Sequence, residues 1–360
     1  MSRLRWLFLF PVAGCQLVLG FEDHELGPSG SGGSGGAGGS TTTTSSTTVS
    51  GSTGSQMTGG GGQAPAVTFG MAEQIGASLG PLTDLAVDGS KVYALSPSSD
   101  ALLVFSEGQS APTVVLPGLT SPRGLVFDGG QLYTTATNGT ACQLIATSTS
   151  ANDSVVISEA SATNCYVAVG AEGAKQAASK GAEVRSEAGA GDGTLIGKAY
   201  DGSEVPAVIV SGGQYFWVDT LSGELLRSDG DTVQPQHNPP GNQVDTVATM
   251  SGPVDLVARA GQVFVVGESG VGSVPATETS GQFSTLTTGA ENPRGISADA
   301  THVYWADGPS VRAVEVGAEG AQPSILYQGS ETPNDTFSRG DAVFFTTQSG
   351  KLFRIVKTIE

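Results

Sequence analysis

The stretch Pro293-Arg294-Gly295-Ile296-Ser297-Ala298-Asp299-Ala300-Thr301-His302-Val303-Tyr304-Trp305-Ala306-Asp307 reads as strand, tight turn, strand. Ile296 and Ala298 alternate with polar neighbours, and Asp299-Ala300-Thr301 is a turn cluster. Val303-Tyr304-Trp305 is β-branched and aromatic, the composition that suits a pleated, half-buried surface. Aligning on the leading Pro and on the aromatic about eleven residues later recovers the unit elsewhere. Copies begin at Leu82, Pro122, Pro206, Pro253, Pro293 and Pro333, and a degenerate seventh begins at Cys165, with Tyr166-Val167-Ala168-Val169 as its first strand.

The copies step by roughly 40 to 47 residues, the period of a four-stranded propeller blade. Each continues with two further strand-like runs, such as Leu102-Leu103-Val104-Phe105 then Thr113-Val114-Val115-Leu116, or Val311-Arg312-Ala313-Val314 then Ser324-Ile325-Leu326-Tyr327. The last copy ends with Lys351-Leu352-Phe353-Arg354-Ile355-Val356 and lacks a fourth strand, while an unmatched piece, Glu73-Gln74-Ile75-Gly76-Ala77, precedes the first. Pairing the two would close a ring and hide an open edge. The expected fold is therefore all-β: a seven-bladed β-propeller over residues 66–360, its blades four-stranded and its last blade closed by an N-terminal strand. Blade three is the exception to the pattern. Residues 171–191 are rich in Ala, Gly, Lys and Glu, and Ala174-Lys175-Gln176-Ala177-Ala178 replaces the aromatic strand. Helix propensity competes with strand there, so a loop or short helix would leave six regular blades.

Before the repeat, Arg3 and Arg5 make a basic start, Trp6 to Val12 is a short apolar run, and Val12-Ala13-Gly14-Cys15 follows. This resembles the lipobox of bacterial lipoproteins. The resemblance implies a signal peptide over 1–14, lipidation of Cys15 and a lipidated N-terminus over 15–26. Gln16 after the cysteine, where Asp would favour the inner membrane, implies an outer-membrane anchor facing either the periplasm or the cell surface. Residues 27–65 form a linker of Gly, Ser and Thr, and no charge occurs between Gly27 and Ala72. Such a composition cannot bury enough apolar surface to offset ordering entropy, so disorder is expected. As a flexible coil its most biased part would span roughly 30 to 36 Å. A passive spacer and an O-glycosylated run over Thr41 to Thr48 are both compatible with it. A lipobox, an acidic-apolar patch and a long Gly/Ser/Thr run are together similar to the lipoproteins of myxobacteria.

The chain carries a formal net charge of −18, and its first 65 residues hold only Arg3, Arg5, Glu22, Asp23 and Glu25 of the charged residues. The body is thus strongly acidic and repels phosphate backbones, which argues against nucleic acid as a partner. Three cysteines are present. If Cys15 takes the lipid, Cys142 and Cys165 remain, in an exported chain, as a disulfide or as two small buried apolar residues. The histidines are His24, His237 and His302, scattered along the chain, so no metal site or cofactor is expected.

Tyr304-Trp305-Ala306-Asp307 and Phe216-Trp217-Val218-Asp219 resemble the YWTD unit of low-density-lipoprotein-receptor propellers. Pro122-Arg123-Gly124-Leu125 and Pro293-Arg294-Gly295-Ile296 are similar to NHL-type and surface-layer seven-bladed repeats. Apart from that likeness, such aromatics are expected to fill the core between blades and such aspartates to lock turns. Asp88-Gly89, Asp128-Gly129-Gly130, Ser211-Gly212-Gly213 and Arg339-Gly340-Asp341 fall at the same hairpin, where Asp and Gly supply turn hydrogen bonds and positive φ. The insertion Pro235-Gln236-His237-Asn238-Pro239-Pro240-Gly241-Asn242 lengthens a loop of blade four, a place where recognition loops occur and where passive insertions are tolerated.

The first strand of each blade lines a propeller's central channel, so the residues that begin it surround one mouth. Those positions hold Arg123, Tyr166, Arg294 and Asn334, and the neighbouring column holds Asp84, Asp255 and Asp335. They could recognise a carboxylate, sugar or peptide, or serve as solvated rim residues and turn caps. Seven-bladed lyases and lactonases of related families use His with acidic residues or a metal at the channel, but no two histidines here fall in neighbouring first strands. The reading is a lipid-anchored envelope propeller acting as a non-catalytic protein- or ligand-binding or scaffold module, its partner an envelope protein, peptide or glycan. The alternative is an envelope hydrolase or lyase acting at the channel mouth.

Overall fold

The structure is a computed structural model. It describes residues 66–360 except 79, 107–108, 110, 138–140, 151–152, 162–165, 173–174, 181–182, 187–193, 200–202 and 230–243. The signal peptide, Cys15, the linker, Cys165 and the insertion at 235–242 lie outside the described residues.

β1 (Val67–Phe69) and β2 (Glu73–Ala77) open the described chain. Blade one is β3 (Thr83–Asp88), β4 (Lys91–Ser96), β5 (Ala101–Ser106) and β6 (Thr113–Pro117). Blade two is β7 (Thr120–Asp128), β8 (Gln131–Thr137), β9 (Ala141–Ser148) and β10 (Ser154–Ser161). Blade three is β11 (Tyr166–Glu172), β12 (Lys175–Lys180), β13 (Glu183–Ser186) and β14 (Thr194–Lys198). Blade four is β15 (Val208–Ser211), β16 (Gln214–Val218), β17 (Glu224–Ser228) and β18 (Asp245–Thr249). Blade five is β19 (Pro253–Arg259), β20 (Gln262–Gly267), β21 (Gly270–Pro275) and β22 (Ser284–Thr288). Blade six is β23 (Pro293–Ala298), β24 (His302–Asp307), β25 (Ser310–Glu315) and β26 (Ser324–Gln328). Blade seven takes β27 (Pro333–Arg339), β28 (Ala342–Thr347) and β29 (Lys351–Ile359) from the end of the chain.

Every blade is an antiparallel meander, and the seven sheets make the expected propeller. The ring closes as the unmatched N-terminal piece predicted. β2 pairs with β29 through Gln74↔Phe353, and further along the same edge β1, which the sequence did not reveal, pairs through Thr68↔Thr358. The side chains of Glu73 and Arg354 add an ion pair at 3.1 Å across this seam. Among the described residues, no helix is long and apolar enough to cross a membrane.

Blade three corrects the expectation of a loop or helix. β12 is a strand hydrogen-bonded on both sides, to β11 and to β13. Its alanines suit the site because the neighbouring blade supplies the bulk. Ala177 is fully buried in a cluster with Val184, Ile196 and Trp217. A Cβ added at Gly197 would lie 2.2 Å from the Trp217 ring, and one at Gly170 would lie 2.8 Å from the Val208 carbonyl oxygen. Small residues therefore let blade three press against blade four, and tertiary pairing overrides a helix propensity worth only tenths of a kcal/mol per residue.

The aromatic strands form the cores between blades. Trp217, Trp305, Tyr304, Phe216, Phe264 and Phe345 are among the largest fully buried side chains. The two YWTD-like aspartates lock turns. Asp307 Oδ1 accepts from the backbone N–H groups of Glu291 and Asn292 at 2.9 and 2.8 Å. Asp219 Oδ1 accepts from those of Leu221 and Ser222 at 2.9 and 3.1 Å. At the shared hairpin, Gly89, Gly129, Gly212 and Gly340 all have φ between 56° and 59°. Cys142 is buried on β9, beside the tract that leads to Cys165.

Candidate binding site at the channel mouth

The first strands of all seven blades line a central cavity of about 550 Å³. Asp84, Asp255 and Asp335 face it. Their placement follows from a recurring irregularity: in six of the blades, the pairing of the first strand with the second slips by one residue near the strand's start. Such a bulge leaves backbone groups out of the ladder and re-aims a side chain. Asp84 sits at the bulge of β3 with φ 25°, a conformation uncommon for a residue other than Gly.

The aspartates take up the freed donors, each joining its own blade to the next. Asp255 accepts from the N–H of Leu256 at 2.8 Å and, across to blade six, from that of Ile296 at 2.9 Å. Asp335 accepts from Thr336 at 2.7 Å and, across to blade one, from Leu85 at 2.8 Å. Where blade six has Gly295 in this column, the space is taken by Asp335, whose Oδ1 lies 2.0 Å from where a Cβ would be. Thr336 makes the bridge there instead, its hydroxyl 3.1 Å from that of Ser297 and 3.3 Å from the Gly295 carbonyl.

The electrostatics of this ring are governed by burial. Removal from bulk water pushes the Asp255 carboxyl up to about 7, against the pull of its two N–H donors and with a further push from Asp84. Burial and then repulsion from Asp84 and Asp255 raise Asp335 well above the usual carboxylate range. Asp84 is raised by burial and drawn partly back by hydrogen bonds from Thr83 and the Gly124 N–H and by the Arg123 guanidinium. The ring therefore holds its protons to higher pH than free carboxylates do, and a protonated carboxyl offers a hydroxyl donor as well as an acceptor to whatever enters the channel.

Beside the carboxyls stand the basic and amide residues of the mouth. Arg123 is exposed, whereas Arg294 and Asn334 are half-buried. Arg294 Nη1 lies 3.4 Å from Asn334 Oδ1, and the amide nitrogen of Asn334 donates to the Leu82 carbonyl at 3.1 Å. With its amide turned to present oxygen, Gln348 accepts from Arg294 Nη2 at 3.1 Å. Blades six, seven and one are thus tied by one polar chain at the mouth. Tyr166 begins β11, but its side chain lies outside what is described. Sequence reading missed Gln348, which sits in the β28–β29 turn and outside the aligned columns. It also read Asp299 only as a turn residue. Asp299 anchors a second polar network between blades six and seven, accepting from the Tyr304 hydroxyl at 2.8 Å, from Ser338 Oγ at 3.0 Å and from Lys357. Among the described residues, no group of three or more His, Cys, Asp or Glu side chains could hold a metal ion.

Neither a protein-family model nor a curated protein sequence matches the chain. Solved structures do. Virginiamycin B lyase from Staphylococcus aureus superposes with a TM-score of 0.59 at 10 % identity, over 81 % of this chain and 99 % of its own. YCF48 bound to D1 peptide gives 0.59 at 13 %, over 82 % and 98 %. BamB from Moraxella catarrhalis gives 0.52 at 11 %, over 76 % and 83 %. The likeness is one of fold. At such identities a shared propeller carries no activity from one chain to another.

Proposed function

We propose that this protein is a non-catalytic binding module of the bacterial envelope, with recognition at the channel mouth formed by Arg123, Arg294 and Asn334 above the aspartate ring. The observation that carries the reading is the fixing of Arg294. Its guanidinium is held by Asn334 and Gln348, neutral partners, and no carboxylate pairs with it among the described residues. A preorganised guanidinium beside acid groups that both donate and accept suits a ligand with carboxylate and hydroxyl or amide groups, such as a peptide or glycan. Propellers with peptide bound, as in YCF48, and propellers that are lyases share the fold, so the discriminating experiment measures capture and turnover together. Cross-linking pull-down from native envelopes should give a partner with the wild type that is lost in an Arg123→Ala/Arg294→Ala variant. Equal capture by both would move recognition to the outer loops, and turnover of a captured ligand would replace this reading with the envelope hydrolase or lyase.

The module is carried, in this proposal, on a lipid at Cys15 in the outer membrane, with residues 27–65 as spacer, and a Cys142–Cys165 disulfide ties blade two to blade three. The lipobox pattern supports the anchor, and the pairing of Cys142 with Ala160 on β10, five residues before Cys165, supports the bridge. Cys15→Ala should release the protein from the membrane fraction, and continued pelleting with the outer membrane would refute the anchor. Intact-mass measurement before and after reduction checks the disulfide.

A further inference from the structure

A second cavity, of about 570 Å³, opens at the seam where blade seven meets blade one, away from the channel mouth. Its walls come from β2, from blade seven and from blade one. Ile75, Val92, Phe105 and Phe344 line it, continuing the core between these two blades. This volume falls within the 300 to 1,000 Å³ typical of small-molecule pockets, and polar residues, among them Gln74, Ser90, Ser106 and Gln109, share the lining with the apolar ones.

Arg339 stands at the rim. Its Nη1 donates to the Val87 carbonyl and its guanidinium lies 5.7 Å from the centroid of the Phe127 ring, so the side chain is positioned. No carboxylate pairs with it among the described residues. By contrast Arg185, Arg227, Arg312 and Arg354 each hold an acidic partner. An oriented guanidinium without a carboxylate partner, beside apolar side chains, is a local device for holding an anion. On the same rim Glu73 is paired with Arg354, and Asp341 opposes a second negative charge.

We infer that the seam cavity is a binding site for an amphipathic monoanion, an aliphatic or aryl carboxylate, with its carboxylate on Arg339 and its apolar body between Ile75, Phe105 and Phe344. Because β2 forms one wall, the ligand touches both ends of the chain and reinforces ring closure, so binding raises the temperature of unfolding.

The test is calorimetric titration and thermal denaturation of the purified chain with submicellar decanoate, using decylamine and decanol as controls. Decanoate should bind and raise Tm, with affinity at least tenfold weaker in Arg339→Gln and largely restored in Arg339→Lys. Denaturation without ligand establishes that the variants fold. Arg294→Ala, at the channel mouth, should bind decanoate like the wild type. Absence of binding, equal binding by Arg339→Gln, or decylamine binding as tightly as decanoate would each overturn the inference. Loss of binding in Arg294→Ala would place the carboxylate in the channel and also overturn it, while leaving the proposal for the mouth standing.

Discussion

Asp299 shows how much one side chain can organise. Its Oδ1 accepts from the N–H groups of Thr301 and His302 and from the Thr301 hydroxyl, while Oδ2 takes Tyr304, Ser338 and Lys357. Burial alone would raise its pKa, but the Lys357 ammonium, those two N–H groups and the Thr301 hydroxyl outweigh burial and hold the carboxyl well below the usual range. The Lys357 side chain is only 4 % exposed, so the pair is nearly dry. Removing one partner of such a pair strands the other charge. Asp299→Asn should therefore destabilise the domain by about 3–5 kcal/mol, measured by chemical denaturation, and a loss under about 1 kcal/mol, the value of an exposed pair, would contradict this account. Phe69 of β1 packs edge-on against His302, with ring centroids 5.3 Å apart, so the network also seats the closing strand. The sequence showed Asp299 as a turn residue because three of its ligands are local. The other three come from β24, β27 and β29, and pairing β29's Lys357 with a turn of blade six requires blade seven to be packed against blade six.

At the scale of elements, the period of the repeat was legible because aromatic and β-branched runs alternate with Gly-containing turns, and the fourth strand of blade seven was legible as a missing piece with one unmatched candidate. Two features were hidden. β1 is only three residues long, Val67-Thr68-Phe69, too short for a pattern. β12 of blade three does without aromatics because Trp217 of blade four supplies the bulk over Gly197, and that exchange between blades is invisible in either segment alone. The bulges were hidden for a similar reason: the residues Asp84, Asp255 and Asp335 stood out as a column, but their bridging role depends on a slipped register. Gly295 is where this role can be probed. A Cβ there would lie 2.7 Å from Asp335 Cα as well as against its carboxylate, a clash with backbone as much as with side chain. Gly295→Ala should cost about 1–3 kcal/mol by overpacking. An unchanged midpoint in a denaturant titration would show that blades six and seven are not held at this distance.

For the molecule as a whole, closure and the proposed recognition meet in the channel. The aspartate ring joins blade five to six and blade seven to one, and it does so with carboxyls whose pKa is raised. A raised pKa means that the folded state keeps a proton the unfolded state has lost, so stability falls as pH rises from the ordinary value of 3.8. For Asp255 this loss runs up to about 7. Asp335, raised well above its ordinary value, acts in the same direction. Thermal denaturation across pH 4 to 8 should show that slope, and Asp335→Asn should flatten it. A variant with the wild-type slope would mean that the ring is hydrated enough to titrate normally. The same ring explains why fold was more legible than ligand. Strand period needs only the chain's own pattern, whereas the proposed mouth is assembled from the first strands of blades two, six and seven, and includes Gln348 from outside the repeat columns.

The measurement that tests the binding proposal most directly is site-specific photo-cross-linking in intact cells, with a photoreactive residue placed at Glu291, exposed just before Arg294, in one strain and at Val155, on the outer edge of blade two, in another. The account predicts a discrete, reproducible adduct from the mouth position that disappears in the Arg123→Ala/Arg294→Ala background, and none from the outer edge. Adducts from Val155 alone, or a Glu291 adduct indifferent to both arginines, would contradict it.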